Sequence, residues 1–540
     1  MSVVFGEFNE GPADSKVTAV HAVLDHTGKV LIFHCRSYPM WTWYYDPELD
    51  EMVGSHLDVP IWPVATEPRP IEPSRIFCSG HCFMSDGRLI VAGGEKDTPY
   101  PYQYIAPAFQ PFRGLDYCFI FDPEGDPQWI VPLDGFDNPY YMRDGRWYPS
   151  LTILNDGRIL ALGGKRIELD ACYESQDNII PEYFESDTGW HTFSDIVISP
   201  WVPGDIRYYY PASHLVPTGD FAGKVFVSET QPIPTINPDP CPFLIYGEPG
   251  ETQVFDPDQT GEDPYWQPVG GQRNTPSQYS NHVLLPIRLA PYRSSRIIVI
   301  GGLWGSVLDK VEMIDLSDST PGWILLDNMA TPRTNHNSII LPDRKILVIG
   351  GDNLSGPCNI PELLDTDTLT WIQDSIFPAP VMDIHRGYHS TALLLPNGKV
   401  FLGGGRVEDG GDVENDTERR ITIFTPGYLL DGDQPVITDA PTEVTYNENF
   451  EVTLDGEYGV GSMAFIKPMS VTHGYNSEQR YIELAFTGIS SGVYSVTAPA
   501  DSNIAPPGYY MLFVLKDDRE STSGESKIPS KAVFIKLTLT

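Results

Sequence analysis

A chain of 540 residues is too long for one undivided hydrophobic core, so it needs several domains or a core shared among repeated units. Its 73 acidic and 35 basic residues give a formal net charge of −38, which argues against nucleic acid or an anionic membrane surface as partner and reads as an acid-coated surface. An ordinary hydrophobic content of 41% excludes disorder over any large part. The first residues, MSVVFGEFNEGPADS, carry neither the basic start nor the apolar run of a leader, and no later segment is long and apolar enough to cross a bilayer as a helix. Prolines (50) and glycines (48) are spread evenly, without a long helical apolar period, and predict an all-β chain of short strands joined by turns. The seven cysteines (Cys35, Cys78, Cys82, Cys118, Cys172, Cys241, Cys358) contain no CxxC pair, and their odd count leaves at least one without an intrachain disulfide partner.

A turn, a basic residue, an apolar strand and often GG recur seven times: TGKVLIF (27–33), DGRLIVAGG (86–94), DGRILALGG (156–164), AGKVFVS (222–228), SRIIVIGG (295–302), DRKILVIGG (343–351) and NGKVFLGGG (397–405). An apolar run such as AVHAVLD or STALLLPN precedes each copy and makes it a hairpin. Most copies are followed by an aspartate turn and a tryptophan (Trp129, Trp266, Trp323 and Trp371, more weakly YFESDTGW), which supplies a third and a fourth strand. These repeats resemble the kelch family and predict a seven-bladed β-propeller over residues 1–430. The seventh copy lacks a tryptophan strand, so VVFGEF near the amino terminus is predicted to complete the last blade. From about Gln434 the composition changes to strands every ten residues or so, predicting an immunoglobulin-like sandwich over 431–540 with an internal loop near GYNSEQR.

The repeat gives each residue a blade coordinate. Cys78, Tyr148 and His389 each lie ten residues before the basic residue of their copy (Arg88, Arg158, Lys399). Ala19 and Asn335 hold that place before Lys29 and Lys345, whereas insertions obscure it in the copies at Lys224 and Arg296. Equivalent places at the start of the innermost strands face one end of the propeller axis, so these side chains are predicted to converge, with Tyr388 beside His389. Singly, each has a plainer role as a packed cysteine, a hydrogen-bonded core tyrosine or a structural histidine. Together, phenols and imidazole are oxygen and nitrogen donors suited to tetragonal Cu(II).

FCSG (77–80), RWYPS (146–150), RGYHS (386–390) and SVTHGYNSEQR (470–480) resemble, in order, the four active-site segments of the galactose oxidase and glyoxal oxidase family of copper radical oxidases. The resemblance covers nearly the whole chain. It implies one copper ion, Tyr148 as a radical-forming tyrosine joined by a thioether to Cys78, Tyr388 as axial ligand and proton acceptor, and His389 and His473 as imidazole ligands, with His473 reaching in from the terminal sandwich. The implied reaction takes a primary alcohol to an aldehyde, or an aldehyde hydrate to an acid, and reduces dioxygen to hydrogen peroxide; the implied partners are a small molecule and dioxygen. Asp352 falls where the family has a substrate-contacting residue. Lys165 stands where galactose oxidases stack a tryptophan over the thioether, and the carbohydrate-binding domain that precedes their propeller is not read here, which makes galactose a doubtful substrate. His81, His336 and His385 lie near these segments and are left outside the metal set. The alternative is a copper-free propeller acting as a binding or scaffold module, in which Cys78 and Tyr148 merely pack. Copper and peroxide favour an extracytoplasmic location and the unread leader opposes it, so the compartment stays open.

Overall fold

The computed structural model describes residues 5–34, 40–60, 74–96, 113–169, 175–193, 210–228, 251–259, 264–275, 277–291, 294–372, 379–405, 418–517 and 527–539. Cys35, Cys172 and Cys241 lie outside these residues; Cys78, Cys82, Cys118 and Cys358 are buried thiols.

Seven antiparallel sheets form the blades of a propeller, with innermost strands His21–Leu24, Gly80–Phe83, Ser150–Ile153, Ser213–Leu215, Asn281–Leu284, Asn337–Ile340 and Ser390–Leu394 in blades 1 to 7. Each repeat copy supplies the second strand; in blade 3 the order outward is Ser150–Ile153, Ile159–Leu162, Glu182–Glu185, Gly189–Thr192. Because blades pack face to face around the axis, second strands such as Leu89–Ala92 and Ile159–Leu162 are buried along their whole length, which is why they read as unbroken apolar runs rather than alternating ones. Gly6–Glu10 pairs antiparallel with Thr422–Pro426 as the outermost strand of blade 7, and Phe8 packs on Phe424 with ring centroids 5.1 Å apart.

The GG pairs set the contact between blades. Gly350 has φ 71°, and a Cβ there would lie 2.3 Å from the carbonyl oxygen of Arg386 in the segment leading into blade 7. Gly93 stands in the same relation to Arg146, at 2.2 Å, so only glycine combines the left-handed φ with this approach. The approached arginines are themselves wholly buried. Arg146, Arg333 and Arg386 each donate to a glycine carbonyl of the blade they introduce (Gly163 at 2.7 Å, Gly350 at 3.1 Å, Gly404 at 2.7 Å), and Arg146 and Arg333 also pair with Glu182 and Glu362. These clamps fix the backbone two or three residues before Tyr148, Asn335 and His389.

Residues from Ile437 to Thr538 form a sandwich in which Tyr481–Ser490 passes from one sheet to the other, pairing first with Val460–Ile466 and then with Val493–Thr497. Its apolar core runs on into blades 4 and 5 through Val216, Phe226, Leu284 and Ile297. The segment expected to be an internal loop is a hairpin, Ser470–Thr472 with Tyr475–Asn476, that leaves the sandwich and adds to the inner edge of blade 1, with His21 paired to Thr472. Blade 1 therefore has six strands, two of them from the other end of the chain.

Candidate metal centre

Six of the seven blades present a non-glycine residue of left-handed φ just before the innermost strand: Cys78 (57°), Tyr148 (65°), Tyr210 (51°), Tyr279 (54°), Asn335 (55°) and His389 (68°). Ala19, at this place in blade 1, is not among them. Such a φ is costly for residues with a Cβ and persists only where the surroundings over-determine it. Here backbone bonds between neighbouring blades do so: Tyr148 N–H donates to the Cys78 carbonyl at 2.9 Å, Tyr210 N–H to the Tyr148 carbonyl at 3.0 Å, and Asn335 N–H to the Tyr279 carbonyl at 3.2 Å. The reversal breaks the strand's alternation and turns these side chains toward the axis.

His473 reaches the same point from the hairpin. With φ 52° at His473 and 76° at Gly474 it is a two-residue turn with both central residues left-handed, the type that suits hairpin twist. The Thr472 hydroxyl donates to the Val20 carbonyl at 3.0 Å and sits 2.6 Å from His473 Nδ1. Since its one proton goes to Val20, it accepts from Nδ1–H, and His473 keeps a lone pair on Nε2. That Nε2 lies 3.6 Å from Cys78 Sγ. The donor atoms of Cys78, His389 and His473 all lie within 4.8 Å of one another, and the His389 and His473 rings stand at 87° with centroids 4.6 Å apart. The Tyr148 and Tyr388 hydroxyls are 3.1 Å apart, and the Tyr388 ring lies 3.9 Å from that of His389.

Two imidazoles, two phenols and a thiol from four separate segments thus meet at one place, a donor set that fits copper. Burial first, then Cys78 and Tyr388, push the Tyr148 phenol well above its ordinary value, so it is a neutral phenol on its own; a cation among these groups would reverse that balance. Tyr148 is flanked by Trp147, with ring centroids 4.2 Å apart, and by Tyr210, at 5.1 Å. Lys165 is buried and exchanges both backbone bonds with Trp147, at 2.7 and 3.0 Å, so the aromatic neighbour comes from the Tyr148 segment and from blade 4. A pocket that opens to solvent lies over the centre, walled by Tyr148, Tyr210, Tyr279, Tyr388, His473 and Tyr475.

Asp352 is not in that wall: its carboxylate pairs with His385 Nε2 at 2.6 Å and faces the Asn335 amide at 3.4 Å. His336 is wholly buried in the blade 6 hairpin, and His81 contacts His21, 3.0 Å away. Tyr210 and Tyr279 share the register of Cys78 and were hidden by insertions, since they lie 14 and 17 residues before Lys224 and Arg296. The buried arginines stood in RWYPS and RGYHS beside the tyrosines and carried no signal of their own without the fold.

Residues 434–537 match the family model of the galactose oxidase-like early set domain. Across 554 aligned positions the chain is 24% identical to a galactose oxidase of Gibberella zeae, covering 97% of this chain and 69% of that one. It is 26% identical to an aldehyde oxidase GLOX of Vitis pseudoreticulata, covering 89% of this chain and 86% of the relative. A solved structure described as a novel fungal alcohol oxidase of the AA5 family, in complex with copper, superposes over 100% of both chains with a TM-score of 0.73 at 20% identity. The propeller, the early set domain and these relatives together support a copper radical oxidase family for the chain.

Proposed function

We propose that the protein oxidises a small primary alcohol to the aldehyde, or a hydrated aldehyde to the acid, and reduces dioxygen to hydrogen peroxide, with one copper ion and a Cys78–Tyr148 thioether. The observation that carries this reading is the convergence of Cys78, Tyr148, Tyr388, His389 and His473, with the two phenol oxygens 3.1 Å apart beside two imidazoles. His389 and His473, with Tyr148 and Tyr388, would hold the ion. Copper bound there supplies one of the two oxidising equivalents and acidifies the alcohol hydroxyl. Tyr148 would hold the second equivalent, because a phenol ring joined to the Cys78 sulfur would be easier to oxidise. Tyr388, next to Tyr148 and open to the pocket, takes the hydroxyl proton, and Tyr148 takes the hydrogen atom from carbon. The tyrosine wall orients the substrate and, among the described lining residues, offers no side-chain cation, which favours an uncharged alcohol or aldehyde.

The scaffold alternative gives no reason to hold reactive side chains at strained φ around one point. One experiment separates the two: purified protein is given Cu(II) and air, then assayed by intact mass, peptide mapping and peroxide release over a panel of primary alcohols and aldehydes. The oxidase loses two hydrogens, yields a linked Cys78–Tyr148 peptide and makes peroxide; Cys78→Ala keeps copper and loses most turnover. Copper uptake without link or peroxide refutes the reading.

A further inference from the structure

Behind Cys78 runs a buried chain of hydrogen bonds that the proposed reaction does not use. The Cys78 amide donates to His21 Nε2 at 3.2 Å, His21 Nδ1 lies 3.0 Å from His81 Nε2, and His81 Nδ1 lies 2.5 Å from Ser470 Oγ. His21, His81 and Ser470 are exposed by 0%, 3% and 0%, so no solvent competes for these bonds.

The amide at one end fixes the protons along the chain. A ring nitrogen that accepts from an amide carries no proton, so the His21 proton is on Nδ1 and is donated to His81 Nε2. The His81 proton must then be on Nδ1, donated to Ser470, whose own hydroxyl faces the His81 carbonyl at 3.4 Å. Both imidazoles are neutral and all donors point away from Cys78. Phe33 stacks flat on His21, with centroids 4.6 Å apart and planes at 1°, and keeps the ring in this plane.

Three elements are tied by this chain. His21 begins the strand of blade 1 that receives the hairpin and pairs with Thr472; Cys78 and His81 belong to blade 2; Ser470 begins the hairpin whose turn carries His473. Cys78 holds a left-handed φ of 57°, and the buried acceptor for its amide, with the Tyr148 N–H on its carbonyl, sets that backbone and with it the direction of the Cα–Cβ bond.

We propose that His21, its tautomer held by His81 and Ser470, is a positioning residue that aims the Cys78 sulfur at the Tyr148 ring for thioether formation. This rests on the oxidase reading above. In that step the Cys78 S–H bond and one C–H bond of the Tyr148 ring break and a C–S bond forms. The two electrons and two protons released reduce one dioxygen to hydrogen peroxide. His21 makes and breaks no bond to sulfur; it sets the aim.

The test follows cross-linking rather than turnover. Protein produced without copper is given Cu(II) and air, the loss of two hydrogens is timed by intact mass, and Cu(II) affinity is measured by chelator competition. His21→Leu, which lacks the acceptor, is expected to slow cross-linking at least about tenfold while copper affinity moves less than about threefold. His21→Gln, whose Oε1 can accept the same amide proton, is expected to recover most of the rate, and Ser470→Ala to slow it by at least about threefold. Cross-linking by His21→Leu at the parent's rate overturns the proposal, as does a His21→Gln rate as low as that of leucine, which marks mere packing. If His21→Leu does not fold, Ser470→Ala at the parent's rate overturns it. A parent that binds copper and never forms the link defeats the oxidase reading and this inference together; a parent that links while His21→Leu keeps pace defeats this inference alone.

Discussion

Thr472→Val tests how the hairpin prepares its imidazole. Valine keeps the β-branched shape but removes the oxygen that donates to the Val20 carbonyl at 3.0 Å and accepts from His473 Nδ1–H at 2.6 Å. Two buried hydrogen bonds are lost and their partners left unpaired, which costs about 2–4 kcal/mol of metal-free stability, within what a folded domain can bear. The larger consequence is for the metal. Without its acceptor, His473 is no longer held as the Nδ1–H tautomer with Nε2 directed toward Cys78 and His389. Loss of such a ligand-orienting partner typically lowers metal affinity by about 10–100-fold, equivalent to about 1.4–2.7 kcal/mol. Cu(II) affinity is read by competition with a chelator of known strength, beside thermal unfolding of the metal-free protein. Thr472→Ser, which keeps the oxygen, is expected to stay near the parent. A folded Thr472→Val that binds Cu(II) within threefold of the parent refutes the reasoning.

Arg146→Met leaves Glu182, 2% exposed, without the guanidinium 2.7 Å away, and is expected to cost about 3–5 kcal/mol in urea unfolding. Gly350→Ala would force a left-handed φ of 71° on alanine and put its Cβ 2.3 Å from the Arg386 carbonyl oxygen. The expected loss exceeds about 2 kcal/mol, visible as a lowered melting temperature, whereas Gly54→Ala has open space and pays only for its φ of 77°. Burial first, then Arg333, lower His336 from its ordinary 6.5 to about 3. The unfolded chain therefore binds a proton that the folded chain refuses, and stability present above pH 6.5 is lost as the pH falls toward 3. Between pH 6.5 and 5 the loss is about 2 kcal/mol, and His336→Gln is expected to flatten the acid limb of the stability profile by that amount.

The blades were legible because a propeller writes its geometry into the chain as repetition: the turn, the basic residue and the doubly buried strand leave the same mark each time. The same repetition made Cys78, Tyr148 and His389 comparable, since a fixed distance from a basic residue is a fixed place in the blade. Where a blade carries an insertion the ruler fails, which is why Tyr210 and Tyr279 stayed hidden although they wall the pocket. No residue type announces a left-handed tyrosine; that conformation is imposed by the neighbouring blade's carbonyl. His473 was found by resemblance alone, because its hairpin belongs to blade 1 in space and to the sandwich in sequence. For the same reason, the buried arginines and the His21–His81–Ser470 chain are contacts between blades, or between blade and hairpin, and periodicity within one segment carries no trace of them.

The hairpin at residues 470–476 also bears on biosynthesis. A nascent chain still lacking that stretch has no His473 to set beside Cys78 and His389, and its first blade has a bare inner edge. On the proposed function, the His389–His473 pair is therefore completed only after the blades that carry Cys78 and Tyr148 have been synthesised.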